Sequence, residues 1–159
     1  MFLYMILKNK PNAIARIAGN KDYSELRGIA EFYNVSFGGV VVNIEVDGLP
    51  HKKEESGFFG CHIHEFGNCT QPFDKTGNHY NPEKTEHPYH VGDLPPLLGN
   101  GGYAWISFYD RRFTVDEIIG KSIVIHEMMD DFTTQPSGGS GTKIGCGVIE
   151  RGYSWNIES

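Results

Sequence analysis

Five of the seven histidines, His62, His64, His79, His87 and His90, fall in one stretch that closes at Asp93. Between Asn68 and Asn100 this stretch shows no strand pattern and is punctuated by Pro, Gly, Asn and His. A segment of that length without its own secondary structure is uncommon inside a compact domain and is usually functional. Whatever fold the chain adopts must hold this loop in one shape, and its side chains are those that bind metal. A sixth histidine, His126, ends the apolar run SIVIHE, whereas His51 lies outside any pattern.

The rest of the chain reads as scaffold. Short apolar runs separated by glycines predict strands over 13–18, 26–35, 39–46, 57–65, 102–109, 113–119, 122–127 and 145–151. Residues 47–50 (DGLP) form a turn by composition. Residues 113–119 are expected as strand, with a short helix over Val115–Ile119 capped by Thr114 as the alternative. Residues 128–142 form a second long loop, rich in Gly, Ser, Thr and Asp. No helical periodicity holds for more than about two turns. The expectation is a single all-β domain over residues 1–159, an antiparallel sandwich or barrel.

Charge and hydropathy exclude several classes of partner. The net charge of −6 disfavours nucleic acid and anionic membrane. No run of about 18 apolar residues predicts a membrane-spanning helix. The N-terminal MFLYMILKNK has no basic region before its apolar part and no small-residue cleavage site after it, so no signal peptide is expected. Met5 is a plausible alternative start, and a cytoplasmic location is the expectation.

On an extended strand, residues two apart share a face. His62 and His64 then form a pair of imidazoles, while Phe59, Cys61 and Ile63 face the core. An exposed His-x-His on a solvent face is the plain alternative. His79, His87, His90 and Asp93 supply three imidazoles and a carboxylate, a complete tetrahedral set for a structural zinc. His126 could join His62 and His64 at a second metal, and all-imidazole ligation with an open position suits copper. Four ligands for each of two ions from seven residues require one histidine to serve both. His64-Glu65 and His126-Glu127 begin like HExxH but lack the second histidine, and there is no Cys-x-x-Cys.

The segments GCHIHEFG (60–67), GNHYNP (77–82), HVGDLP (90–95), VIHE with DD (124–127, 130–131) and GTKIGCGVIE (141–150) together resemble the copper/zinc superoxide dismutases, in a bacterial-type form. The resemblance implies an eight-stranded Greek-key β-barrel with a long metal-binding loop and a second active-site loop. It implies copper at His62, His64, His79 and His126, and zinc at His79, His87, His90 and Asp93, with His79 as the bridge. It assigns Asp130 as the carboxylate joining a copper-ligand ring to a zinc-ligand ring, and Cys69–Cys146 as a disulfide. Closing so long a loop is worth roughly 4 to 5 kcal/mol in the chain-entropy model. Cys61 is left as a buried small hydrophobe.

Two departures from the family pattern stand out. Lys143 occupies the position where the family usually has arginine, keeping the charge but losing the planar fork. The loop 128–142 carries no Lys or Arg, so Lys143 and the metals must supply most of the attraction for an anion. The implied activity is dismutation of superoxide, with His79 and Lys143 taking part. A homodimer is one arrangement the family allows. The competing readings are a non-enzymatic dismutase-like metal-binding domain, and copper delivery or storage. The latter would favour soft ligands, for which only Met128 and Met129 form a pair.

Overall fold

In the computed structural model the described residues are 1–51 and 57–152. Residues 52–56 and 153–159 of the expected domain range lie outside them. Nine strands, two short α-helices and two 3-10 turns are formed among the described residues. The strands are β1 (Ala13–Gly19), β2 (Arg27–Asn34), β3 (Val40–Asp47), β4 (Phe58–Phe59), β5 (Cys61–His64), β6 (Leu97–Leu98), β7 (Ala104–Asp110), β8 (Ser122–His126) and β9 (Lys143–Arg151).

Seven of these make one antiparallel sheet in the order β5-β8-β9-β1-β2-β3-β7, and β4 pairs with β6. The connection from β7 to β8 crosses from one edge of the large sheet towards the other. The sheet curls into a half-barrel. The short pair lies between its edges, because β4 runs into β5 through Gly60 and β6 packs against β7. The inner face carries the main core, including Phe32, Ile44, Ile63, Leu97, Ile123 and Ile149. Cys61 is fully buried there, and burial pushes its thiol up to about 12.

Three elements differ from the sequence reading. Val115–Ile118 is a helix, α2, and not a strand. Thr114 accepts from the Glu117 N–H, and the Glu117 carboxylate accepts from the Thr114 N–H at 2.6 Å. This reciprocal box satisfies N–H groups that an apolar run alone leaves open. Leu97–Leu98 forms strand inside the stretch read as patternless, because pairing with Phe58–Phe59 buries Leu97.

The apolar N-terminal run is a helix, α1 (Phe2–Lys8). Its Phe2, Met5 and Ile6 pack on Tyr33, Val35 and Val41 at the outer face of the sheet. That cover buries Val41, and Trp105 and Ser107 donate to Oδ1 of Asn43, so β3 is buried at successive residues from Val40 to Ile44 instead of alternating. The opposite side of α1, with Leu3, Tyr4 and Leu7, stays exposed. Neither helix is long and apolar enough to cross a membrane.

Candidate metal centre

The edge strand β5 positions the first two imidazoles. Its register with β8 pairs His62 with Val124 and His64 with Ser122. Cys61 and Ile63 enter the barrel core, while His62 and His64 are buried on the other side beneath the two long loops, at 0% and 2% exposure. The solvent-facing alternative for this pair is therefore excluded. His126 ends β8 at a bulge, where the pairing with β9 shifts between Ile125 and His126. Bulges of this kind re-aim a side chain, and here His126 Nε2 comes to 3.3 Å from His64 Nε2.

The long loop is fastened to the free edge of β5. Ile63 N–H donates to Gly92 O at 2.9 Å, Tyr80 N–H to Ile63 O at 2.8 Å, and Glu65 N–H to Asn78 O at 2.9 Å. Gly92 is required at this crossing, since a Cβ there would press into the Ile63 carbonyl. This anchoring stacks the His79 ring on the His62 ring with centroids 3.8 Å apart. It also places Asp93 where its Oδ1 meets His79 Nδ1 at 2.7 Å.

Two clusters of donors result. In one, His62, His64, His79 and His126 each offer a ring nitrogen within 4.8 Å of the others; in the second, ring nitrogens of His79, His87 and His90 and a carboxylate oxygen of Asp93 lie within the same distance of one another. The His79 ring belongs to both. A tetrahedral ion about 2.0–2.1 Å from its ligands sets them about 3.3 Å apart. The Asp93 Oδ2 separations of 3.1 Å from His87 Nδ1 and 3.3 Å from His90 Nδ1 match that spacing. The same atoms tell against a simple hydrogen-bonded cluster. His62 Nδ1, His79 Nε2, His87 Nδ1 and His90 Nδ1 are buried without a hydrogen-bond partner, a costly state unless a cation satisfies them.

The far side of most rings is held by an acceptor, which fixes the tautomer. Asp130 accepts from His62 Nε2 through Oδ2 at 2.7 Å and from His87 Nε2 through Oδ1 at 2.8 Å. His64 Nδ1 donates to Gly77 O at 2.9 Å, and His126 Nδ1 lies 3.3 Å from Gly141 O. Burial pushes His62 down to about 4 and His126 down to about 3, and lowers His64 as well. These imidazoles are therefore neutral at pH 7, the form a metal requires. Burial raises Asp130, but hydrogen bonds from His62, the Phe132 N–H and His87 outweigh it and hold the carboxyl well below its usual range.

A cleft of about 390 Å³ opens over the all-imidazole cluster, lined by His64, His79, His126, Pro136, Ser137 and Lys143 among others. Lys143 opens β9. Its Nζ donates to Thr76 Oγ1 at 2.9 Å and to Gly77 O at 3.1 Å, so the ammonium is held at the cleft wall. Burial lowers its pKa. Cys69 and Cys146 are joined by a disulfide across a sequence separation of 77. Asp131, by contrast, is exposed and turned away from the clusters, capping Thr133 and Thr134 within its own loop.

Two contributors had no sequence signal. Arg112, just past β7, donates to His90 O at 3.0 Å and Asp93 O at 2.6 Å while paired to the buried Asp110. Gln135 accepts from the His87 N–H at 2.9 Å and donates to the His87 carbonyl at 2.7 Å. Both act on loop backbone far away in sequence, and neither sits in a local motif.

Comparison with known proteins agrees with this geometry. The family described as copper/zinc superoxide dismutase (SODC) matches residues 26–149. Superoxide dismutase [Cu-Zn] A of Xenopus laevis is 32% identical over 152 residues, covering 86% of this chain and 95% of that protein. The copper chaperone for superoxide dismutase of Mus musculus is 30% identical over 158 residues, covering 91% of this chain. The chain spans only 55% of that chaperone's length. Among solved structures, the clock protein EA4 superposes with a TM-score of 0.75 at 30% identity, covering 90% of this chain and 96% of that one.

Proposed function

Because the chain belongs to the copper/zinc superoxide dismutase family, as its match over residues 26–149 shows, we propose that it is itself a superoxide dismutase. The observation that carries this reading is the pair of donor clusters sharing His79, one of them open to a cleft that holds a lysine. Copper would be held by His62, His64, His79 and His126, and zinc by His79, His87, His90 and Asp93.

The chemistry that bound copper supplies is alternate one-electron transfer: one superoxide is oxidised to dioxygen, and a second is reduced and leaves with two protons as hydrogen peroxide. The protein's residues do the rest. Lys143 draws the anion into a cleft of an otherwise acidic protein and gives it a positive wall to lie against. His79 can carry a proton at Nε2, because its Nδ1 is engaged with the Asp93 side. Asp130 keeps the Nδ1 atoms of His62 and His87 free of protons and directed inward. The four-donor zinc cluster leaves no open position, so its role is to fix the shared ring. In this reading one domain acts in the cytosol, and cell fractionation would check the location.

The similarity to copper chaperones of nearly the same domain supports a second reading, a metal-binding domain without turnover. One experiment separates the two. Protein reconstituted with copper and zinc should bind about one of each per chain and consume superoxide, and His126→Ala should abolish that activity. Stoichiometric copper without superoxide consumption would favour the second reading. Failure to bind either metal would overturn both.

A further inference from the structure

The loop 128–142 is hydrogen-bonded to His87 of the zinc-side loop from two directions. Asp130 holds the ring of His87, and five residues later Gln135 holds both polar groups of its backbone. Between these points the loop braces itself. Asp131 accepts from the N–H groups of Thr133 and Thr134 at 2.8 Å each. Gly138 N–H donates to Thr134 O at 2.7 Å, and Asp131 N–H donates to Gly138 O at 2.9 Å. At Gly138, with φ +71°, a Cβ would press into Asp130 Oδ1 and His87 Nε2, so the braced turn lies directly on the Asp130–His87 contact. The residues that follow Gln135, namely Pro136 and Ser137, line the cleft together with Lys143.

We infer that Gln135 is a positioning residue that keys the second loop to the zinc-side loop, so that zinc binding sets the wall of the anion cleft. The inference rests on the assignment of His87 to zinc. The amide side chain matches its task. The main chain of one residue presents one donor and one acceptor, and a primary amide answers both at once. Asp130 alone orients the ring but leaves the chain beyond Asp131 free to pivot. With the Gln135 clasp added, the turn has two attachments, and Pro136 and Ser137 cannot move without moving His87. In the other direction, fixing His87 on an ion restricts the cleft wall. Coupling of this kind is reciprocal, so whatever loosens the clasp must also weaken the ion.

The test uses the full chain with Gln135→Ala and Gln135→Glu. Metal-free protein is titrated with zinc alone against a chelating indicator. The copper- and zinc-loaded protein is then titrated with azide, a small anion read by visible absorption. Because residue 135 is exposed, the amide bonds compete with water and the effect is moderate. Gln135→Ala should raise the zinc Kd about 3- to 10-fold and shift the azide Kd by more than about 3-fold. Gln135→Glu keeps the acceptor for the His87 N–H and loses the donor, so it should fall between parent and alanine in both. Unchanged zinc affinity in both variants overturns the inference. Weaker zinc with unchanged azide binding also overturns it, reducing the clasp to a loop support. If the parent itself binds no zinc, the assignment of His87 to zinc is what fails.

Discussion

Replacing Asp130 by alanine probes how the two clusters are kept apart in strength. Asp130 is 1% exposed and is bonded to one ring from each cluster, His62 and His87, at 2.7 and 2.8 Å. A hydrogen bond to a charged group contributes about 1.5–3 kcal/mol. Loss of the outer partner of a metal-binding histidine costs about 10–100-fold in affinity, or about 1.4–2.8 kcal/mol.

The structure determines how that loss divides. His62 lies on β5, its backbone is in register with Val124, and its ring stacks on His79 at 3.8 Å. Strand and stack keep the ring in place without the carboxylate. His87 lies in the loop, and its other attachment, Gln135, grips backbone and not ring. Its imidazole is then free to turn and to place its proton on either nitrogen. Asp130→Ala should therefore weaken zinc by about 10–100-fold and copper by less than about 10-fold. Zinc is titrated into metal-free protein and copper into zinc-saturated protein, with urea unfolding run alongside. Asp130→Asn, which keeps the volume, serves if the alanine variant does not fold. An equal loss for both metals, or a larger one for copper, would refute the argument that β5 holds His62 independently.

Two further outcomes follow from the same geometry. Lys143→Gln should lower kcat/KM for superoxide by about 3–10-fold at low salt, with the gap closing as salt rises. Lys143→Arg should raise the low-salt rate by restoring a planar fork, and stopped-flow decay of superoxide that is identical in all three proteins would remove Lys143 as the anion guide. Metal-free protein should lose stability in acid, because burial holds His62 at about 4 and His126 at about 3 against about 6.5 in the unfolded chain. Below pH 6.5 the unfolded state binds more protons, so stability falls as pH falls, by at most about 2.7 kcal/mol per pH unit for the two groups. The loss levels off as each folded pKa is passed. Urea midpoints that stay flat from pH 7 to 5 would contradict it, and bound metal should move the loss to lower pH.

What was legible in the sequence was local chemistry. Alternation along GFFGCHIHE separates Phe59, Cys61 and Ile63 from the two histidines, because side-chain period in a strand depends only on neighbours. The donors of the long loop could be named for the same reason, since residue type sets which metals a side chain suits. The capping box at Thr114 and Glu117 was also written locally, and reading Val115–Ile118 as strand gave apolar content too much weight against it. The i, i+3, i+4 spacing of Phe2, Met5 and Ile6 likewise marked α1, but so short a helix is stable only on the sheet face it covers.

The tertiary structure alone decided what meets across long separations. It brought His126 to His64 at a bulge in β9 opposite the end of β8, and it aimed Nδ1 of His62 but Nε2 of His64 inward through acceptors on two different loops. It placed Arg112 on the carbonyls of His90 and Asp93, and Gln135 on the backbone of His87. Those contacts arise from the register of β5 with β8 and β9 and from the packing of loops on a free strand edge. Sequence spacing carries no record of them, because a hydrogen bond to a distant carbonyl requires no particular residue at the accepting end.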